Sequence, residues 1–110
     1  LFPSPMTAGD PPLEEIVILS EGDDPSDNHL NLVVCINTST GQISVETFIN
    51  QWIWVYIYNT SNGSIYSVDI IDATLNNGSV YHTNAPSLPG NYCILFQSTS
   101  AEAYGYFTIN

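Results

Sequence analysis

The chain has 110 residues, 11 of them acidic and none of them Lys or Arg, so its formal charge is −11. The length gives one small domain, and the apolar share of 44% suffices for a core. The charge argues against nucleic-acid binding, which needs cationic side chains, and excludes catalysis by a Lys Schiff base; no apolar run is long enough for membrane insertion.

The amino-terminal segment is rich in proline, with four of the seven prolines in residues 1–13. Proline fixes φ and removes a backbone hydrogen-bond donor. We therefore expect residues 1–13 to form an extended tether and residues 14–110 to form a single domain.

Short apolar or alternating runs then follow one another, separated by turn residues. Strands are predicted over residues 15–20, 30–37, 43–48, 52–58, 64–71, 79–83, 92–97 and 104–109. No helical period persists over more than about ten residues. Seven or eight short strands with frequent turns predict an all-β, immunoglobulin-like antiparallel β-sandwich, with a small closed barrel as the alternative.

Acidic residues crowd the segment 21–28, where Glu21, Asp23, Asp24 and Asp27 lie close together. Hard cations bind several oxygens on a flexible loop, so calcium is one hypothesis. The alternating acids followed by Gly of a calcium loop are absent, however. We favour a solvated acidic turn and predict neither a metal nor a cofactor.

The two cysteines, Cys35 and Cys93, lack the ligand number and spacing of a zinc site. Alternation in the strand that holds Val34 turns Cys35 outward, and alternation in the strand that holds Ile94 turns Cys93 outward. Two outward residues on opposite sheets lie too far apart to bridge. The sequence therefore predicts two free thiols.

The densest aromatic run predicts a strand on which Trp52, Trp54, Tyr56 and Tyr58 share one face. A two-residue turn at 62–63 would pair Tyr56 with Asp69 and Tyr58 with Ser67, and would leave this stripe exposed. A turn over 60–63 with a bulge at Gly63 would pair Tyr56 with Val68 and Tyr58 with Tyr66, and would bury it. Burial is the commoner fate of such residues, so we expect a core stripe; an exposed stripe would be a ligand-binding platform.

Three segments of the second half occur in a recognisable order: residues 59–66 (NTSNGSIY), 88–92 (LPGNY) and 105–109 (GYFTI). Pro89 and Gly90 shape the entry to the next strand, and Tyr92 can reach a backbone partner as in a tyrosine corner. This order resembles a family of small exported immunoglobulin-like proteins of unknown function from Gram-negative gut anaerobes. It is also similar to the carboxy-terminal sorting domains of proteins that bacteria of the same phylum as these anaerobes secrete.

The resemblance covers roughly residues 13 to 110 and implies the immunoglobulin-like fold without implying any catalytic residue. Sorting domains usually end in a Lys-rich strand, which this chain lacks. With the proline-rich start and the missing amino-terminal Met, the resemblance predicts an exported protein, whether periplasmic, cell-surface or extracellular.

No catalytic motif is present. The chain has no Gly-x-Ser-x-Gly elbow for a hydrolase, and we expect His29 and His82 to be surface residues. Asp69 and Asp72 lie three apart on a predicted strand and therefore face opposite sides, unlike a glycosidase pair. The sequence thus predicts a protein that is not an enzyme.

The predicted function is that of an exported, non-catalytic binding or interaction module. Its candidate ligand-binding residues are Trp52, Trp54, Tyr56 and Tyr58, and its partner is a glycan, a protein or a second copy in a homodimer. The alternative is a purely structural domain that presents or stabilises a larger cell-surface assembly.

Overall fold

The computed structural model describes residues 13–20, 32–47, 52–72, 80–99 and 101–110. Within these residues the chain forms nine strands, and no helix there is long and apolar enough to cross a membrane. The strands are β1 (Leu13–Ile16), β2 (Leu19–Ser20), β3 (Leu32–Asn37), β4 (Gln42–Thr47), β5 (Trp52–Asn59), β6 (Ile65–Asp72), β7 (Val80–Asn84), β8 (Gly90–Gln97) and β9 (Glu102–Ile109).

The strands form two antiparallel sheets, one with the order β1-β3-β4-β7 and the other with the order β2-β9-β8-β5-β6. The predicted antiparallel β-sandwich is therefore confirmed, and the alternative of a closed barrel is not. The acidic segment 21–28 and residues 1–12 of the predicted tether lie outside the described residues.

The core lies between the two sheets and is filled by every second side chain of the central strands. The four-stranded sheet supplies Leu32, Val34, Ile36, Ile43 and Val45, and the five-stranded sheet supplies Ile53, Val55, Ile57, Ile94 and Phe96. Alternation in the sequence predicted the inward side of β3 and β8 correctly, because one side of each sheet is covered and the other is not.

The first predicted strand, 15–20, is wrong as a single element. Its first part is β1, which pairs with β3, and its last part is β2, which pairs with β9 in the other sheet. Val17 and Ile18 carry the chain across from one sheet to the other. They pass directly over Gly105 of β9, where an added Cβ would lie 2.6 Å from Ile16 Cγ2 and 2.8 Å from the Val17 carbonyl oxygen.

The predicted tyrosine corner is confirmed. The Tyr92 hydroxyl donates a hydrogen bond of 2.8 Å to the Leu88 carbonyl oxygen, four residues earlier. The ring is buried and stacks on Phe107 with 5.7 Å between the ring centroids. This contact fixes the bend before β8 against the last strand of the same sheet.

The two thiols are free, as predicted. Cys35 lies on the outer side of the four-stranded sheet, between outward positions of β1 and β4, and is half-buried. Cys93 lies on the outer side of the five-stranded sheet, yet it is buried, because Tyr58 and Tyr106 flank it on the neighbouring strands.

Candidate functional site

The outer side of the five-stranded sheet exposes the predicted aromatic stripe of β5. Ile53, Val55 and Ile57 fill the core, so the alternate residues point away from it. Trp52 is 55% exposed and Trp54 is 45% exposed. Tyr56 and Tyr58 are half-buried on the same outer side. The expectation of a core stripe is therefore wrong.

The stripe is exposed even though the register between β5 and β6 follows the alternative that was expected to bury it. The hairpin turn runs over residues 60–63, with Gly63 at φ +74° and its N–H bonded to the Asn59 carbonyl oxygen at 2.8 Å. Tyr56 pairs with Val68, as the bulged alternative predicts. Tyr58 pairs with Ile65 rather than Tyr66, because the pairing shifts between Ile57 and Tyr58.

Tyr56 was expected to be buried if it paired with the apolar Val68. It does pair with Val68, but it lies on the exposed side of the sheet. A sheet in a two-layer sandwich has one covered side, and the Ile and Val residues of β5 occupy it. The neighbours of the stripe share its exposure: Val68 is 51% and Ile70 is 39% exposed.

The stripe is part of a wider apolar surface, here called the aromatic face, that extends across β9, β8, β5 and β6. One cross-strand row joins Tyr104, Leu95, Tyr56 and Val68, and another joins Tyr106, Cys93, Tyr58 and Ile65. The complete face also includes Trp52, Trp54 and Ile70. The contributions of β6, β8 and β9 were not predicted from the sequence. For β9 the sequence does contain an indication, because Tyr alternates with small or buried residues in 104–109.

The middle of the aromatic face carries no charge. Among the described residues, its carboxylates lie at one end, where Asp72 pairs with Trp52 and Glu102 pairs with Gln97 in the row of Trp54. A shallow depression of about 260 Å³ opens between Tyr56, Tyr58, Ile65, Leu95 and Gln97. The face thus combines protruding indole rings with an apolar hollow beside them.

The thiol beneath this face, Cys93, is buried, and its environment favours the protonated form. Burial raises the pKa of Cys93 above its ordinary value. The hydrogen bond between the Tyr58 hydroxyl and the Cys93 thiol, together with burial, raises the pKa of Tyr58 to about 12. Both groups are therefore protonated and neutral near pH 7, which keeps the centre of the face uncharged.

The outer side of the four-stranded sheet carries a row of Ser, His and Cys side chains, which are residue types that can take part in catalysis. Ser44 Oγ lies 3.2 Å from His82 Nδ1, and Cys35 pairs with Ser44 on the next strand. The pKa of Cys35 is raised by burial and by the Glu15 and Glu46 carboxylates, the reverse of a nucleophilic cysteine. His82 is exposed, as predicted, on an open sheet surface. A hydrolase also needs an enclosed site with oxyanion donors, so we interpret this row as a cross-strand surface pair.

The acidic side chains do not assemble a metal site in the described part of the chain, where no group of three or more His, Cys, Asp or Glu residues could hold an ion. Asp69 pairs with Val55 on the inward side and Asp72 with Trp52 on the outward side, so the predicted opposite orientation is confirmed. His29 and the acidic segment 21–28 lie outside the described residues.

Asp69 instead links the outermost strands of the two sheets. The Tyr81 hydroxyl of β7 donates a hydrogen bond to Asp69 Oδ2, and Asp69 Oδ1 accepts the Ile70 N–H at 2.9 Å. Burial, and then the bond to the Asp69 carboxylate, raise the pKa of Tyr81 to about 12.

This contact predicts a loss of stability in alkali. An unfolded Tyr ionises near pH 10, about two units below the folded value for Tyr81. The folded state then binds more protons than the unfolded state, so the stabilisation from Tyr81 is complete below about pH 10 and is lost towards about pH 12. We expect urea denaturation midpoints of the wild type to fall more steeply across this range than those of Tyr81→Phe. Tyr106→Phe, which removes an exposed hydroxyl, should follow the wild type; parallel curves for all three would contradict the assignment.

The fold and its exposed sheet side define a small immunoglobulin-like β-sandwich. Among solved structures, the chain is similar to a DUF3244 family protein with an immunoglobulin-like β-sandwich fold from Bacteroides vulgatus ATCC 8482. The TM-score is 0.70 at 13% sequence identity, and the match covers 90% of this chain and 100% of that chain. No family model and no curated protein matches the sequence.

At this identity the likeness shows the fold, and it confirms the immunoglobulin-like prediction. The neighbour belongs to a domain-of-unknown-function family, which agrees with the family type that the sequence resembled. The similarity to secretion sorting domains stays a prediction, as does export.

Proposed function

We propose that this chain is a non-catalytic interaction module that binds a protein partner through the aromatic face. The observation that supports this most is the exposure of Trp52 and Trp54 on an apolar face whose described carboxylates are confined to one end, on a protein whose formal charge is −11. Contiguous exposed apolar patches with a polar rim usually mark interaction sites. Export, which the family resemblance implies, belongs to the same proposal.

The register favours a protein partner over a glycan. Sugar recognition combines stacking on rings with polar groups placed beside them. The polar neighbours that would suit a sugar, Ser67 and Asp69, pair with inward-facing Ile57 and Val55 instead. Val68 and Ile70 lie beside Tyr56 and Trp54, so the surface on the β6 side of these two rings is aliphatic. Mixed aromatic and aliphatic surfaces of this kind match an apolar protein surface.

Tryptophan fluorescence tests this proposal directly, because both Trp residues of the protein lie on the aromatic face. In dilute solution we expect red-shifted emission that acrylamide quenches readily. Trp54→Ala should lower the free energy of unfolding by about 1 kcal/mol or less, since exposed side chains contribute little to stability. Blue-shifted, shielded emission with a loss of about 3 kcal/mol or more would place the ring in a packed interior and overturn the proposal.

A glycan array with the wild type and Trp54→Ala separates the partner classes. We expect no glycan to bind in a manner that depends on Trp54. Binding that is lost in Trp54→Ala would keep the face as a binding surface and replace its proposed partner with a sugar. A chain that neither exposes its Trp residues nor binds any ligand would match the purely structural alternative.

A further inference from the structure

We infer that the partner on the aromatic face is a second copy of this chain, packed sheet against sheet in a symmetric dimer. The inference rests on the proposed function, since it names the occupant of the same surface. In such a dimer both copies use the same patch, so the patch must complement itself.

The distribution of charge favours the aromatic face over the other surfaces for contact between two copies. Every copy carries 11 acidic residues and no Lys or Arg, so two copies repel each other wherever carboxylates meet. On the five-stranded sheet the described carboxylates Asp72 and Glu102 lie at one end of the aromatic face, and its centre is neutral. Two copies can therefore meet across this face without opposing carboxylates at the contact centre. A cationic partner would gain nothing from this neutral centre and would favour the acidic surfaces instead.

The shape of the aromatic face, with an exposed ring beside a hollow, suits a symmetric contact between two copies. Trp54 is 45% exposed, and the hollow of about 260 Å³ begins at Tyr56, two residues further along the same strand. A twofold axis between the ring and the hollow would place Trp54 of each copy in the hollow of the other. Sheets packed face to face lie about 10 Å apart, a distance that interdigitating side chains of this size fill.

The size of the face predicts a weak dimer. Four strands spaced about 4.8 Å apart, over six residues that rise about 3.3 Å each, give a flat footprint of about 400 Å² per copy. This lies within the range of functional apolar patches and below the roughly 800 Å² per partner of a standard stable interface. We therefore expect an association that depends on concentration.

Sedimentation velocity on the full chain, from about 5 µM to about 500 µM, tests the inference. We expect the monomer at the lower end and a rising dimer fraction at the upper end, with a parallel blue shift of the Trp emission. Because like charges repel, raising NaCl from about 20 mM to about 500 mM should strengthen the dimer. An association with an oppositely charged partner would weaken instead.

Two variants that add the same charge identify the surface. Val68→Glu, on the β6 side of the face and beside the ring of Tyr56, should abolish the dimer, and Trp54→Ala should weaken it. Leu88→Glu, at a site that is 72% exposed in the bend before β8, should leave the dimer intact. Circular dichroism of each variant checks that the fold is retained.

Two outcomes would overturn the inference: a monomer at every concentration and salt level, or a dimer that Val68→Glu and Trp54→Ala leave unchanged. A monomer whose Trp residues remain quenchable would refute the second copy as partner and leave the proposed interaction module standing. Shielded Trp residues in the dilute monomer would refute the proposed function itself.

Discussion

Phe96→Ala is expected to lower the free energy of unfolding by about 3 to 5 kcal/mol, because it removes a ring from a site with no solvent exposure. Phe96 lies in the middle of the five-stranded sheet, where it pairs with Val55 on one side and Ala103 on the other. Neither small neighbour can expand to fill the resulting space. Urea denaturation followed by circular dichroism measures the loss.

Trp54→Ala is the matched control for this substitution. Trp54 pairs with Gln97, the next residue along β8, and its ring lies on the opposite side of the same sheet. The two truncations therefore compare a covered and an uncovered aromatic side chain within one strand pair. Equal losses for both would mean that the outer side is packed as tightly as the core, which would contradict the arrangement of the two sheets.

Gly105→Ala is expected to lower the free energy of unfolding by about 2 to 3 kcal/mol, the upper part of the range typical of overpacking. Its Cβ would lie 2.6 Å from Ile16 Cγ2 and 2.8 Å from the Val17 carbonyl oxygen. The second contact is with backbone, so the segment that crosses between the sheets must move. We expect faster hydrogen exchange at the amides of β2, which is held by this crossing.

Gly41→Ala separates steric from conformational effects. At Gly41 an added Cβ meets no atom within 4 Å, but φ is +77°, so the substitution strains only the local backbone, by about 1 to 2 kcal/mol. It should leave exchange in β2 unchanged. If Gly105→Ala were no more destabilising than Gly41→Ala and left β2 exchange unchanged, the close crossing over Gly105 would be refuted.

The inward sides of most strands could be predicted because one side of each was clearly more apolar. In β3 the inward set Leu32, Val34 and Ile36 is more apolar than an outward set that includes Asn37, and this placed Cys35 outward. The same logic worked for Cys93. In β5 both sides are apolar, so periodicity could not say which side the other sheet covers. The residue types carried that information: Ile and Val pack densely in a core, whereas Trp and Tyr have a polar group that suits a partly exposed surface.

Contacts over long sequence separations could not be predicted. The continuous run 15–20 gives no local sign that it changes sheets, because every residue in it fits either environment. The pairing of Ser44 with His82 spans 38 residues and depends on how β7 joins the four-stranded sheet. The extent of the candidate site depended on the same information, since β6, β8 and β9 complete the aromatic face only through their register with β5.

The contacts of Asp69 also bear on aggregation. β6 is an edge strand that is rich in β-forming side chains and contains no proline. The unpaired backbone groups of such an edge can bind a strand of another molecule. Many proteins guard an edge with lysine, which this chain lacks. Asp69 protects this edge in another way. Its carboxylate accepts the Ile70 N–H, which is then not available to another strand, and an incoming strand would have to desolvate this charge. Growth of the sheet from this edge into open-ended fibrils is thereby opposed, whereas the proposed dimer through the aromatic face would close after two copies.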